Sequence, residues 1–423
     1  MVIGKGSKGM HLSEEDVRSI VKEAVAKGTF DNKKILAVYP DHTRSGPVPI
    51  FFRAFCDLIG AKAAKLDFLI ALGTHMPMTE EMICEHFAVT PEELKSKYGK
   101  FGVFNHDFKD PAKNIKVGTL KKAQVEEISG GILSEDVPVE INKMVMDYDL
   151  LVICGPVFPH EVVGFSGGNK YLFPGIAAAE IIDFFHWLGA LMTNPKIIGN
   201  KMTAVRKVVE LCADMVQKPK FAFTYVVDHG EIAGLYAAEA KEAWGAAADL
   251  SNQLHICYMD KPFHTVLSCA PKMYDDIWTA GKCMYKLEPV VADGGTLIIY
   301  APHVTEISYT HGKVLDKIGY HTRDYFSKQM DKFEGVPRGV IAHSTHVRGI
   351  GTFENGVEKP RVSVVLATGV PEERCKKINL GYMDPKLINL DDYKNKEDKG
   401  ILFVAKAGEM LYKLKDGPSW QNV

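Results

Sequence analysis

Short apolar runs alternating with longer amphipathic stretches constrain this chain more than any other feature of its first half. Lys34-Ile35-Leu36-Ala37-Val38-Tyr39, Lys65 to Leu72 and Asp149 to Cys154 each read as a buried strand. Between the first two, Pro47 to Gly60 reads as a helix with proline in its first turn. After the second, Thr79-Glu80-Glu81-Met82 opens another helix, with Thr79 as the capping residue and acids in the first turn. Strand and helix in alternation predict an α/β fold with largely parallel sheets. Each run also ends on polar residues. Asp41-His42-Thr43-Arg44 follows the first, Gly73-Thr74-His75-Met76-Pro77 the second, and Gly155-Pro156-Val157-Phe158-Pro159-His160 the third. The carboxyl ends of parallel strands share one edge, and ligands bind in the crevice there, so the three segments are expected to converge.

A second α/β block starts near residue 262. His264 to Cys269 reads as a strand, Asp275 to Val291 as a helix and Gly294 to Tyr300 as the returning strand. The polar stretch Ser251 to Lys261 reads as a hinge. Two domains are expected, an N-terminal one over 1–258 and a second over 262–400, with a strand beginning at 401 and the tail 401–423 returning to the first. The active site is expected in the cleft between them.

Composition narrows the function. The 423 residues are 46% hydrophobic, which excludes a disordered chain, and the net charge of −2 supplies no electrostatic footprint for nucleic acid. No run of 18 apolar residues marks a membrane span, and the first residues lack a signal-peptide core, so a cytoplasmic location is expected. The eight cysteines form no C-x-x-C pair and sit mostly in apolar runs, as reduced buried thiols do.

The richest segment is His160-Glu161-Val162-Val163-Gly164-Phe165-Ser166-Gly167-Gly168-Asn169-Lys170, followed by Pro174-Gly175 and a helix from Ile176 to about Met192 that carries His186. Glycines here let backbone approach a ligand and turn N–H groups toward an anion. Lys170 offers a charge or an amine nucleophile. The spacing matches neither a P-loop nor a dinucleotide fingerprint. His303, His311, His321, His343 and His346 lie in the second half, and His343 to Gly349 reads as a substrate loop or an exposed one. On these residues alone three functions stay open. One is a catalytic cleft with histidine acid/base groups. Another is a zinc or iron hydrolase or lyase ligated by His75, His160 and His186. The last is a non-catalytic module holding a phosphate ligand on the Ser166-Gly167-Gly168 turn.

Asp41-His42-Thr43-Arg44, Gly73-Thr74-His75-x-Pro77 and His160-x-x-x-Gly164-Phe165-Ser166-Gly167-Gly168-x-Lys170-x-x-x-Pro174-Gly175-Ile176, with His186 sixteen positions after Lys170, resemble the nickel-pincer-nucleotide family of 2-hydroxyacid racemases and epimerases, the lactate racemase-like proteins. The resemblance is strong over 35–190 and weaker after 260. It implies a pyridinium-3-thioamide-5-thiocarboxylate mononucleotide bound covalently to Lys170 and carrying Ni(II), with His186 as the protein's metal ligand. Asp41, Arg44, Ser166, Gly167 and Gly168 would hold that cofactor, His75 and His160 would be the acid/base pair, and Lys282 would face the substrate, with Arg348 a second carboxylate partner. It also implies a small 2-hydroxy acid substrate and partner proteins that build the cofactor. Three positions depart from the pattern: Met76 and Asn169 stand where relatives carry arginine, and Thr279 where they carry glutamine. These departures, with Tyr309, His311, His343 and His346, point to a longer, polyhydroxylated acid rather than lactate.

Overall fold

The structure, a computed structural model, describes residues 1–44 and 46–418. They fall into two compact units: one of residues 1–158, 165–182 and 206–254, the other of 159–164, 183–205 and the described chain from 255 onward.

The first unit is built on seven strands: β1 (Ile3–Gly6), β2 (Lys34–Pro40), β3 (Lys65–Ala71), β4 (Val103–Asn105), β5 (Leu150–Pro156), β6 (Lys220–Asp228) and β7 (Glu231–Glu239). Their order across the sheet is β1-β7-β6-β5-β2-β3-β4. Strands β6, β5, β2, β3 and β4 are parallel, while β7 and β1 add antiparallel edges. After an exposed Lys34, the next six residues of β2 are all buried, the mark of a parallel strand covered on both faces. The chain runs from β2 outward to β3 and β4, then returns to place β5 on the other side of β2. That reversal is the topological switch point of the sheet.

Three helices cover one part of this sheet's core: α1 (Glu14–Ala26), α2 (Val48–Ala54) and α3 (Glu80–Phe87). Ser13 and Asp16 form a capping box at the start of α1, and Thr79 caps α3 by accepting from the Met82 amide at 3.2 Å. The expected helix from Pro47 is present, but its second half, Phe55–Ile59, widens to a π-type turn. Aromatic rings fill the layer between helices and sheet. Phe52 stacks on Phe87 at 4.2 Å and 4°, and Tyr39 meets Phe55 and Phe68 edge-on.

The second unit carries a five-stranded, wholly parallel sheet of β8 (Phe263–Cys269), β9 (Val291–Ala301), β10 (Ser363–Thr368), β11 (Gly381–Tyr382) and β12 (Ile401–Val404), in the order β11-β10-β9-β8-β12.

Four sequence expectations change. The strand at 401 does not return to the first domain: β12 pairs with β8, Val266 opposite Leu402, inside the second unit, and residues 419–423 lie outside the described chain. The chain does pass from the first unit to the second inside Ser251 to Lys261, between Leu254 and His255, but the stretch is not a loop: a helix runs to His255 and Ile256–Met259 pairs with Leu411–Leu414. The helix expected over 275–291 is two single turns, Ile277–Ala280 and Lys282–Tyr285, then a 3₁₀ turn at Glu288–Val290, with Gly281 and Pro289 at the breaks. The helix bearing His186 begins at Ala179 rather than Ile176, since Ala177 bridges to Ile141. Among the described residues no helix is long and apolar enough to cross a membrane, and all eight cysteines are free, seven of them buried.

Because Phe52 is fully buried between Phe68, Phe87 and Tyr98, Phe52→Ala is expected to lower stability by about 3–5 kcal/mol in urea denaturation; a loss under about 1 kcal/mol would mean that this ring layer is loosely packed.

Candidate active site

In the first unit the polar groups gather where β2, β3 and β5 end. Asp41, the first residue past β2, is 2% exposed. Its Oδ1 accepts from the Thr43 amide at 3.0 Å and from the Thr43 hydroxyl at 2.6 Å. Its Oδ2 lies 2.5 Å from Nδ1 of His75, which stands just past β3. Arg44 donates to the Thr43 hydroxyl at 2.8 Å. Burial alone would raise the Asp41 carboxyl, but the charges of His75 and Arg44 and the bonds from His75 and Thr43 outweigh it and hold it well below the usual carboxylate range. An ionised Asp41 fixes the His75 ring, with Nδ1 donating and Nε2 left as the nitrogen that exchanges a proton. Gly73, at φ +56°, turns the chain so that its amide donates to Gly175 at 2.9 Å and the His75 amide to Leu72 at 2.9 Å.

Past β5 comes the glycine turn. The Ser166 hydroxyl accepts from the Phe158 amide at 2.9 Å and donates to the Pro156 carbonyl at 3.3 Å, tying the turn to the strand end. Gly167 and Gly168 take φ of +83° and +57°. A Cβ on Gly168 would lie 2.8 Å from Trp244 Cβ and 3.0 Å from Arg206 Nη2, so only glycine fits. The turn leads into a single 3₁₀ turn, Gly168–Tyr171, with Lys170 half-buried on it. Two of its amides, Ser166 and Lys170, already donate to the carbonyls of Phe158 and Gly167, which leaves fewer N–H groups for an anion than the glycine spacing alone suggests.

Helices α4 (Ala179–Met192), α5 (Ala204–Met215), α6 (Ala240–His255) and α7 (Arg338–Arg348) complete the picture. Arg206 of α5 and Trp244 of α6 lie beneath the glycine turn. The guanidinium carbon stands 3.5 Å from the indole ring centre, Nη1 donates to the Gly167 carbonyl at 3.1 Å and the indole N–H donates to Ser166 at 2.9 Å. Asn169 donates to Glu210 at 2.7 Å. Neither Arg206 nor Trp244 was marked by the sequence reading. Their only signal is an Arg–Glu pair at i,i+4, common on solvated helices.

In the second unit, Nδ1 of His160 accepts from the Val162 amide at 3.1 Å and stands 3.4 Å from Glu161. With Nδ1 accepting, the neutral ring carries its proton on Nε2, the opposite tautomer to His75. His186 is on α4, one turn after Asp183, which accepts from the Gly339 amide at 3.1 Å. His343 to Arg348 is not a loop: it is the buried second half of α7, with His343 and His346 7% and 4% exposed. His343 stacks on Trp278 at 3.9 Å, and His311 packs against the same indole at 4.5 Å. Burial depresses the ring pKa values of His343 and His346. That of His346 falls to about 4, with Glu161 opposing the shift and His186 adding to it. Lys282 lies over the Tyr274 ring at 4.7 Å, and the Thr279 amide donates to Asp276 at 2.8 Å to start its short helix. His303 and His321 are held by the Tyr274 carbonyl and Glu358, so they serve the fold. Met76 and Tyr309 are 61% and 64% exposed. Among the described residues no three or more His, Cys, Asp or Glu side chains gather as metal ligands.

A doubly wound sheet with a carboxylate-oriented histidine at its switch point defines a ligand-binding α/β protein of enzyme type. The chain is similar to the lactate racemases. Residues 13–198 match the lactate racemase N-terminal domain. The chain is 29% identical to the lactate racemase of Thermoanaerobacterium thermosaccharolyticum over 70% of its own length and 67% of the relative's. It is also 29% identical to that of Lactiplantibacillus plantarum over 66% and 62%, so the matched stretch stops about a third short of these relatives. The crystal structure of a Thermotoga maritima protein superposes with a TM-score of 0.87 at 33% identity, covering 96% of this chain and 99% of that one. The apoprotein of the T. thermosaccharolyticum lactate racemase shares the fold at a TM-score of 0.73 and 20% identity, over 97% and 94%.

Because the folded Asp41 pKa is depressed, its stabilising effect is full above the unfolded value, about 3.9, and is lost as pH falls toward the lower folded value. The gap in thermal midpoint between wild type and Asp41→Asn is therefore expected to stay constant from neutral pH to about pH 5 and to narrow below about pH 4. A gap that widens on acidification would contradict an ionised Asp41.

Proposed function

We propose that the protein is a nickel-dependent racemase or epimerase of 2-hydroxy acids, with Lys170 as the covalent anchor of a nickel-pincer nucleotide. Similarity to the lactate racemases supports the coarse statement, an isomerase of hydroxy acids. The observation that carries the chemistry is the Asp41–His75 pair at the switch point, matched by a second histidine, His160, held in the complementary tautomer.

The residues fit such a cofactor. Oδ1 of Asn169, next to Lys170, is buried without a hydrogen-bond partner, an acceptor that a bound group would satisfy. Gly167 and Gly168 carry no side chain because Val157, Trp244 and Arg206 already fill the space a Cβ would take. Lys170 would carry the group, Asp41, Arg44 and Ser166 would hold it, and the His186 imidazole is a donor suited to Ni(II). When bound, the cofactor supplies a reversible acceptor for the hydrogen on C2 of the substrate.

The chain's own part is proton transfer and binding. For one enantiomer, Nε2 of His75 takes the hydroxyl proton as the C2–H bond breaks and the carbon flattens to a 2-keto acid. Asp41 keeps the resulting imidazolium in place, as a carboxylate does for any histidine base. Once the opposite face of the keto acid is presented, return of that hydrogen to C2, with His160 giving the carbonyl oxygen its proton, would yield the mirror image, and the two histidines exchange roles in reverse. Lys282 is the cation for the substrate carboxylate, with Arg348 second. The substrate proposed is a longer, polyhydroxylated acid rather than lactate, on the residues Met76, Asn169 and Thr279 and the polar side chains of Tyr309, His311, His343 and His346. Proteins that assemble the cofactor are the expected partners.

Protein co-produced with the cofactor pathway is expected to show nickel and a mass increment localised to Lys170, and to invert chiral hydroxy acids, polyhydroxylated ones faster than lactate. His75→Ala and His160→Ala should each lower turnover by about 10²–10⁴ while keeping the increment. Deuterium on C2 should stay with the molecule during inversion. An unmodified Lys170 in active protein, or full activity in both variants, overturns the reading.

A further inference from the structure

Arg206 is the largest fully buried side chain described, yet it is charged. Taking a guanidinium out of water is costly, and apolar replacements of buried ion pairs are often neutral or stabilising, so cohesion alone does not explain it. Its donors do something directional. The Gly167 carbonyl receives two N–H groups, the Lys170 amide at 3.3 Å and Arg206 Nη1 at 3.1 Å. The preceding carbonyl, Ser166, receives the indole N–H of Trp244, on whose ring the guanidinium lies. Glu210, one turn beyond Arg206 on α5, forms an ion pair with Arg206 Nε at 2.9 Å, without hydrogen-bond alignment, through one oxygen and accepts from Asn169 at 2.7 Å with the other. Residues 166, 167 and 169 are thus each fixed by one stacked unit drawn from two helices, and the Gly168 position is closed by the same two side chains. Lys170 is the next residue, and its own amide closes on the carbonyl that Arg206 holds.

We propose that Arg206, backed by Trp244 and Glu210, is a positioning residue for Lys170: a planar cation beneath the glycine turn that sets the 3₁₀ turn and so the direction in which the lysine leaves the backbone. A flat, five-donor group is needed, because an ammonium has neither the face to stack on indole nor the fork to reach Glu210 and Gly167 together. This rests on the reading of Lys170 as the attachment point, and the test separates the two.

Arg206→Met keeps volume and removes the donors. It is expected to fold with a lowered thermal midpoint, because Glu210 loses its partner, while hydrogen exchange at the Lys170 amide of the cofactor-free chain speeds up about tenfold relative to the amides of β2 and the fraction of chains modified at Lys170 after co-production falls about tenfold. Arg206→Lys should recover little of either. Added guanidinium ion, with sodium chloride at the same ionic strength as control, should restore both in Arg206→Ala. Wild-type exchange and wild-type modification in Arg206→Met would overturn the proposal, as would rescue by sodium chloride alone. Faster exchange at Lys170 in a chain whose wild type carries no adduct would sink the attachment reading and leave the positioning role standing. Should Arg206→Met fail to fold, Trp244→Phe, which keeps a ring and loses the indole N–H, is expected to shift exchange in the same direction; no shift there counts against the proposal.

Discussion

Parallel pairing of β2 with β5 is the constraint from which the first unit's chemistry follows. Because these neighbours are reached by chain segments leaving in opposite directions, no connecting helix can cover the ground past their carboxyl ends. Asp41 leaves from one strand and the Ser166-Gly167-Gly168 turn is tied to the other, through Pro156 and Phe158. His75 comes from the strand beyond. A sheet that placed β5 elsewhere would keep every one of these residues and lose their proximity.

Much of this was legible in the sequence because parallel strands buried on both faces leave continuous apolar runs, and such runs have sharp polar ends. Asp41 and His75 stand 34 positions apart and still meet, an inference available from strand order alone. The same reasoning failed where packing rather than patterning decides. The stretch around His343 carries Ser, Thr and Arg and reads as a loop, yet it is helical and buried because Trp278 supplies a flat face for the ring. Positions 275–291 have helical periodicity, but Gly281 and Pro289 divide them into single turns. Arg206 was invisible for a related reason: on an amphipathic helix an arginine beside a glutamate looks solvated, and only the approach of Trp244 and the glycine turn removes the water.

The site combines two ways of fixing a reactive group. His75 is oriented by a charge, since Asp41 is kept ionised by its neighbours despite being buried. Lys170 is oriented by backbone, since the carbonyls ahead of it are saturated by Arg206 and Trp244. A side chain that must exchange protons needs a partner whose charge persists. One that must be presented in a fixed direction needs a rigid turn, and glycine with a stacked cation provides it.

The edge strand β12 comes from the last part of the chain and completes a sheet whose first two members, β8 and β9, begin more than a hundred residues earlier. The second unit also takes in residues 159–164 and 183–205, which interrupt the first. During synthesis on the ribosome the first unit has all its strands once β7 has emerged. The interrupting segments must then wait, attached to a finished neighbour, until nearly the whole polypeptide has been made. Vectorial growth therefore assembles the lysine turn and its supports well before the sheet that accompanies His186 can close.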